Sequence, residues 1–517
     1  MSGMKAQPGS SAIRDGSRFG AVLIVLLTAA VAIAWSHVKL LSQDEIFVLQ
    51  TDSVSSVREL INIQRHYPIS LDPLVYHLLA HGCSKMFGPT ALALRLPSIA
   101  GFLLMQVCVF FITRRIAGSR AALIAMAFPA LTASLFYAPE ARPYGLLLGF
   151  YALAFLAWQT ATRRRERTGS LLLLAVAVGL TLNTHYFGIL ILIPLWLAEL
   201  ARTVRRRRVD LPMIAAIVAG MACIVFALPF QKAAGEFRKH YYNAGAISLR
   251  AITQAYRSLF VNYTTQPLAM QRMEAVLLVA FAVLVILLCV RRLRTAVPRA
   301  DLVFLLALAA LPLFGVLLAV FVTHSIEVRY VLSAIIAVAI FFAIAVEPLL
   351  SGRVSTAILV VILAAGILLS GLVRIRGERT KTEQELAGLV IPPALKAQIL
   401  ALPDSRIYIQ DMGHFEVASY YEPDPEIRSR LTLLYSHEDE LRYDLHDTAS
   451  LTAEHMQHFT GFGIVSYAQL KASRGEHVLV LYHSGWDWTD QALAADGALV
   501  VPLGAALGGD AITVTFN

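Results

Sequence analysis

About 17–25 consecutive apolar residues cross a bilayer as a helix, and this chain carries run after run near that length. The first is Gly20–Val38. The others lie near Leu96–Ile116, Ala121–Tyr137, Tyr144–Ala161, Ser170–Thr184, Phe187–Leu200, Met213–Phe230, Ala275–Val290, Leu302–Val322, Tyr330–Val346 and Ser355–Val373. The pair flanking Asn183–Gly188 is short, as a tilted or re-entrant pair would be. The pattern predicts about 11 transmembrane helices. Composition agrees: 57% of residues are hydrophobic and only 15% charged, against roughly a quarter charged in soluble domains. The first run is too long for the apolar region of a signal peptide and no small-residue cleavage site follows it, so it reads as a span.

The formal net charge of +9 does not point to nucleic acid, because the arginines sit in short clusters between apolar runs. Arg114 and Arg115, Arg163 to Arg165, Arg205 to Arg208 and Arg291 to Arg294 fall in alternate loops, the pattern of loops retained in the cytoplasm. The expected topology follows. Residues 1–19 form a cytoplasmic N-terminal segment of an inner (plasma) membrane protein. Residues 20–373 form the membrane domain, with a first outer loop at 39–95. Residues 374–517 form an extracytoplasmic domain. The four cysteines, Cys83, Cys108, Cys223 and Cys289, show no spacing for a disulfide framework or a zinc site.

The tail holds short strand-like runs at Arg406–Gln410, His477–His483, Leu499–Leu503 and Ala511–Phe516, with helical patterns at Pro393–Leu402 and Ala453–Phe459. It reads as a small α/β domain. Its seven histidines, His455 and His458 among them, are expected on an exposed polar face.

Ionisable residues beside spans are costly, and are usually paired or functional. Asp44 and Glu45 follow the first span, Glu140 and Arg142 the third, and Glu327 stands between His324 and Arg329. All belong to the outer loops, as does His185. Plainer roles exist for each. Asp44 can cap a helix, Glu140 and Arg142 can form a local ion pair, His185 and His324 can be interfacial, and Asp52 can be a solvated residue.

Four stretches together resemble a family. Phe87–Ser98 (FGPTALALRLPS) looks like the lead into the second span of bacterial family 39-like glycosyltransferases. Tyr137–Tyr144 looks like their Y-x-x-E-A-R-x-Y signature, Ser42–Glu45 like their first-loop acidic motif, and Thr184-His185-Tyr186 is similar to a motif at the same span boundary. These are GT-C fold enzymes, relatives of dolichyl-phosphate-mannose protein mannosyltransferases and of the lipid A aminoarabinose transferase. The resemblance covers Gly20 to Val373. It implies transfer, with inversion, of a sugar from a polyprenyl-phosphate donor to an extracytoplasmic lipid, glycan or protein acceptor, with Asp44 as the base and Glu45 in support. Arg142, Arg329, His185 and His324, with Lys232 and Arg238–His240, are then the groups expected at the donor phosphate. Glu140 would orient Arg142, and Tyr144 and Asp72 would support the site. Relatives often carry a His-Pro-Pro-Leu-Tyr-like stretch where this chain has Leu71-Asp72-Pro73-Leu74-Val75-Tyr76. Acids of that loop can help hold a metal in relatives, which leaves a divalent metal ion an open expectation here. A transporter, a non-catalytic envelope scaffold and a polymerase or ligase of lipid-linked glycans are the competing readings.

Overall fold

The computed structural model describes residues 9–164, 166–237, 253, 256–260, 297–320, 328–402, 406–473, 475–483 and 488–516. The expected span Ala275–Val290, together with His324, Glu327 and Arg238–His240, lies outside them. What is described is a multi-pass helical membrane bundle carrying a six-stranded α/β domain.

The membrane part opens with α1 (Gly9–Val38), followed by three short helices: α2 (Gln43–Asp52), α3 (Val57–His66) and α4 (Leu74–Phe87). Next comes α5 (Ala91–Ala127). As one rod it would be roughly 55 Å long, too long for a bilayer. It is instead a hairpin. Gly118 takes φ 88°, ψ 176°, open to glycine because it has no Cβ, and the Gln106 side-chain amide reaches the carbonyl of Met126 at 3.1 Å. In a straight helix those residues would stand about 30 Å apart. The two runs on either side of Gly118 therefore fold back on each other as separate antiparallel helices.

α6 (Tyr144–Arg163) packs on the first arm of α5 with the backbones almost touching. A Cβ on Gly101 would come within 2.2 Å of the Leu146 Cα, and one on Gly145 within 2.4 Å of the Ser98 carbonyl. Small residues that let backbones meet are a common basis of helix association in lipid, where no hydrophobic force drives it. The contact sets where the chain just before α6 is held, including Arg142.

The bundle continues with α7 (Thr168–Leu182), α8 (Leu192–Arg206), α9 (Leu211–Ala222), α10 (Leu228–Glu236), α11 (Arg299–Ala309), α12 (Leu311–Leu318), α13 (Ala334–Leu350) and α14 (Thr356–Leu389). By length and apolarity, five helices among the described residues can cross a membrane. The number is up to seven if the bent pairs, α9 with its 3₁₀ extension to Phe226 and α10, and α11 with α12, each bent by 51°, count as one span apiece. α14 runs sixteen residues past Val373. Its apolar run ends there, but the charged sequence from Arg374 to Glu385 contains no helix breaker except Gly377. The change of composition at 374 therefore falls inside a continuous helix.

The tail domain begins with α15 (Pro393–Ala401). Its strands are β1 (Ile407–Ile409), β2 (Leu431–Tyr435), β3 (Gly463–Ser466), β4 (Glu476–Leu481), β5 (Leu499–Ala506) and β6 (Gly509–Thr515). They lie in the order β3-β2-β1-β4-β6-β5, the first four parallel and β6 antiparallel to both β4 and β5. Two helices matter below: α16 (Met412–Tyr421), which follows β1, and α17 (Thr448–Gln457), which lies between β2 and β3.

Candidate active site

A cavity of about 290 Å³ opens between the end of the bundle and the tail domain. The bundle side brings Asp44, Asp72, Arg142, His185 and Arg329 to its wall, with Tyr144 among them. Five separate stretches of chain therefore converge there.

Asp44 sits in the first turn of α2, where a carboxylate is favoured by the helix dipole. Its side chain is 37% exposed, 3.4 Å from the Arg329 guanidinium and 3.9 Å from that of Arg142. Arg142 is nearly buried. It also pairs with Asp72 at 3.1 Å and donates to the Ser70 hydroxyl at 3.1 Å. One guanidinium thus lies between two aspartates from different loops. The Tyr144 ring serves as a floor, 6.0 Å from Arg142 and 5.7 Å from Arg329.

His185 is held between the Tyr144, Phe187 and Tyr330 rings. Its Nδ1 accepts from the Phe187 N–H at 3.1 Å, which places its proton on Nε2, 3.6 Å from Asp72. Burial outweighs that neighbour and draws the imidazole down to about 4. It is a neutral donor at pH 7. Burial pushes Asp72 up, but Arg142 and then His185 outweigh it and hold the carboxyl below its ordinary value.

Glu45 is placed differently from Asp44. Successive helical residues point about 100° apart, and Glu45 turns inward, fully buried. Arg95 grips it with two nitrogens at 2.8 and 3.1 Å, and Lys39 approaches to 3.4 Å. The backbone N–H groups of Ala141 and Ser42 donate to it at 2.7 and 3.1 Å. Burial alone would raise its pKa, but Lys39 and Arg95 reverse that and keep it well below the usual carboxylate range. It is not in the cavity's described lining, so any support it gives Asp44 acts by anchoring their shared helix and not by contact with reacting groups. Arg95 also caps the end of α1 through the carbonyls of Ser36, Lys39 and Leu40. Arg95 stands inside the quoted Phe87–Ser98 stretch, and an arginine among apolar residues was the available signal.

Glu140 makes no ion pair with Arg142, contrary to expectation, since Asp44 and Asp72 take that guanidinium. Burial raises its carboxyl, and its Oε2 has no hydrogen-bond partner among the described residues. Asp52 is fully buried, not solvated, and its carboxylate meets His77 Nδ1 at 2.8 Å. Lys232 is described on α10 but is not in the cavity wall.

Among the described residues no three His, Cys, Asp or Glu side chains gather as a metal would need. Asp44 and Asp72, the two acids in the described wall, already share the Arg142 guanidinium between them.

The tail domain closes the site and braces it. Tyr421 on α16 accepts the Leu41 N–H at 2.6 Å, and Glu416 accepts from the Gln50 amide at 2.5 Å. On α17, His455 bonds the Pro68 carbonyl at 2.8 Å, and His458 stacks on Tyr67 at 3.8 Å. His455 is therefore buried against the first loop and not on an open polar face.

Residues 72–230 match the family model described as dolichyl-phosphate-mannose-protein mannosyltransferase. Among solved structures, ArnT from Cupriavidus metallidurans in the apo state aligns with a TM-score of 0.60 at 12% identity, over 95% of this chain and 97% of that one. The same protein bound to undecaprenyl phosphate gives 0.60 at 14% identity over the same shares. No curated protein matches the chain. At such identities the likeness establishes the fold alone, the fold of ArnT, and it agrees with the GT-C fold that the four sequence stretches implied.

Proposed function

We propose that this chain is a glycosyltransferase that moves a sugar from a polyprenyl-phosphate carrier to an acceptor hydroxyl, with inversion, in the cavity between bundle and tail domain. The observation that supports it most is an accessible Asp44 set within 4 Å of two guanidiniums in a cavity at the end of a membrane bundle. The family match over residues 72–230 and the undecaprenyl phosphate held by a neighbour of the same fold agree with it.

The chemistry follows from the groups present. A sugar on a polyprenyl phosphate is joined through a phosphodiester. When its anomeric C–O bond breaks, the phosphate takes the electron pair and gains a negative charge. Arg142 and Arg329 are placed to receive that charge, and arginine can hold two phosphate oxygens at once. Engaging the phosphate gives both guanidiniums a second anion, which loosens their hold on Asp44. That carboxylate then accepts the proton of the incoming hydroxyl as its oxygen bonds to the anomeric carbon. Such base catalysis contributes typically 10²–10⁴-fold. Asp72 and neutral His185 hold Arg142 in place, and Glu45 fixes the helix that carries Asp44.

The test is mass spectrometry of envelope lipids, glycans and proteins from the source strain, a deletion, and the deletion carrying Asp44→Asn. One sugar-sized mass should vanish on deletion and fail to return with the variant. An identical profile in all three strains overturns the reading.

A further inference from the structure

The cavity has two walls of opposite character. Every fixed charge in its described lining belongs to the bundle: Asp44, Asp72, Arg142 and Arg329. The tail domain lines the other side with Met412, His446, Thr448, Ala449 and Thr452, none of which carries a fixed charge. These residues are not scattered. Met412 opens α16 directly after β1, and His446, Thr448 and Thr452 come from the connection after β2 and from the first turns of α17. They cluster beyond the carboxyl ends of two adjacent parallel strands, where open α/β sheets place their ligands. The same edge meets α2. A Cβ on Gly413 would lie 3.0 Å from the Gln43 side chain, one residue from Asp44.

We infer that this wall is the acceptor subsite, and that it takes the neutral, polyhydroxylated end of a glycan. The inference rests on the transferase reading of the cavity. The guanidiniums fix the phosphate end of the donor at the bundle wall, so the attacking hydroxyl approaches Asp44 from the side of the tail domain. Threonine hydroxyls and a neutral imidazole each donate and accept, as sugar hydroxyls do. Burial holds His446 below its ordinary pKa, with Asp447 opposing, so it stays neutral. A phosphorylated acceptor end would call for arginine or lysine on this wall and a cationic one for acids, and the described tail-domain residues that line it include neither. A peptide serine would present a single hydroxyl to a wall that offers several polar groups in succession.

The test uses the full chain in nanodiscs, mixed with membranes from the deletion strain as the source of donor and acceptors, and follows the added sugar mass on the glycan and protein fractions separately. The paired substitution Thr448→Val with Thr452→Val should raise the amount of membrane needed for half-maximal transfer by about tenfold, with the plateau rate and the binding of undecaprenyl phosphate unchanged. His446→Leu should do the same, and His446→Gln should recover most of the loss, which keeps the test open if the valine pair folds poorly. Wild-type transfer with no change in any variant overturns the subsite and leaves the transferase reading standing. Sugar arriving on proteins overturns the glycan class. A wild-type chain that transfers nothing overturns both.

Discussion

The two ends of the bundle use the same pieces for different purposes. Away from the cavity, Arg167 grips Asp210 with two nitrogens at 2.5 and 2.7 Å, and Arg202 joins Asp210 to Glu199. Asp210 also caps α9 through the Met213 N–H at 3.3 Å, and nearby Arg163 pairs with Asp301 at 3.0 Å. The Asp210 side chain is 3% exposed and its oxygens are filled. At the cavity, Asp44 is 37% exposed, and its arginines stand off at 3.4 and 3.9 Å. Short, saturated contacts fasten helices together. Longer, open ones leave a carboxylate and two guanidiniums able to change partners. Arginines in or beside the clusters that set the expected topology thus also supply the fastenings at their own end, and acids near spans are not confined to the cavity end.

If that contrast is right, substitutions at the two ends must fail in different ways. Asp44→Asn should show the largest effect on turnover, a loss of 10²–10⁴-fold, with the thermal unfolding midpoint in detergent barely moved. An equal loss of folded protein would make Asp44 one more fastening. Asp210→Asn should instead cost about 3–5 kcal/mol, as breaking a buried pair does, read as lower yield and midpoint, while the protein that survives turns over normally. Arg142→Lys lies between: one ammonium cannot span Asp44 and Asp72 together, so turnover should fall roughly 10-fold to 100-fold, with donor binding weakened and stability slightly reduced. The smallest effect concerns pH. Burial lifts Glu416 to about 8, against a small opposing pull from Gln50. The unfolded chain gives up this proton near the ordinary carboxylate value and the folded chain holds it, so stability is fully present at low pH and is lost as pH rises toward and through 8. Unfolding midpoints of wild type and Glu416→Gln at pH 6 and pH 9 should show the wild type alone weakening.

The bundle was readable in sequence because apolar length is a direct imprint of bilayer thickness, and the hairpin at Gly118 sits between two runs that were already separate. The tail was readable only in part. β1, β4, β5 and β6 coincide with recognised strand-like runs. β2 (LTLLY) is almost entirely buried, so it shows no alternation to mark it as a strand, and β3 is four residues long. The site divides the same way. Asp44, Arg142, Arg329, Asp72 and His185 were named from charge beside spans and from motif likeness, and the fold brings them together. Glu45 could not be told from its neighbour, because adjacent acids look alike in a sequence and only the turn of α2 separates them. The contributions of Met412, His446 and α17 come from pairing distant strands, and nothing local to those residues announces it.

The hydrogen bond from the Leu41 backbone to Tyr421 joins residues 380 positions apart. Translation at about 5–20 residues per second makes Tyr421 roughly 20–75 seconds after Leu41. For that interval the helix bearing Asp44 is already at the membrane without its brace. A chain interrupted before Tyr421 would carry every charged group of the bundle wall, and its Glu45 anchor, while still lacking this tail-domain contact at the approach to the helix that bears Asp44.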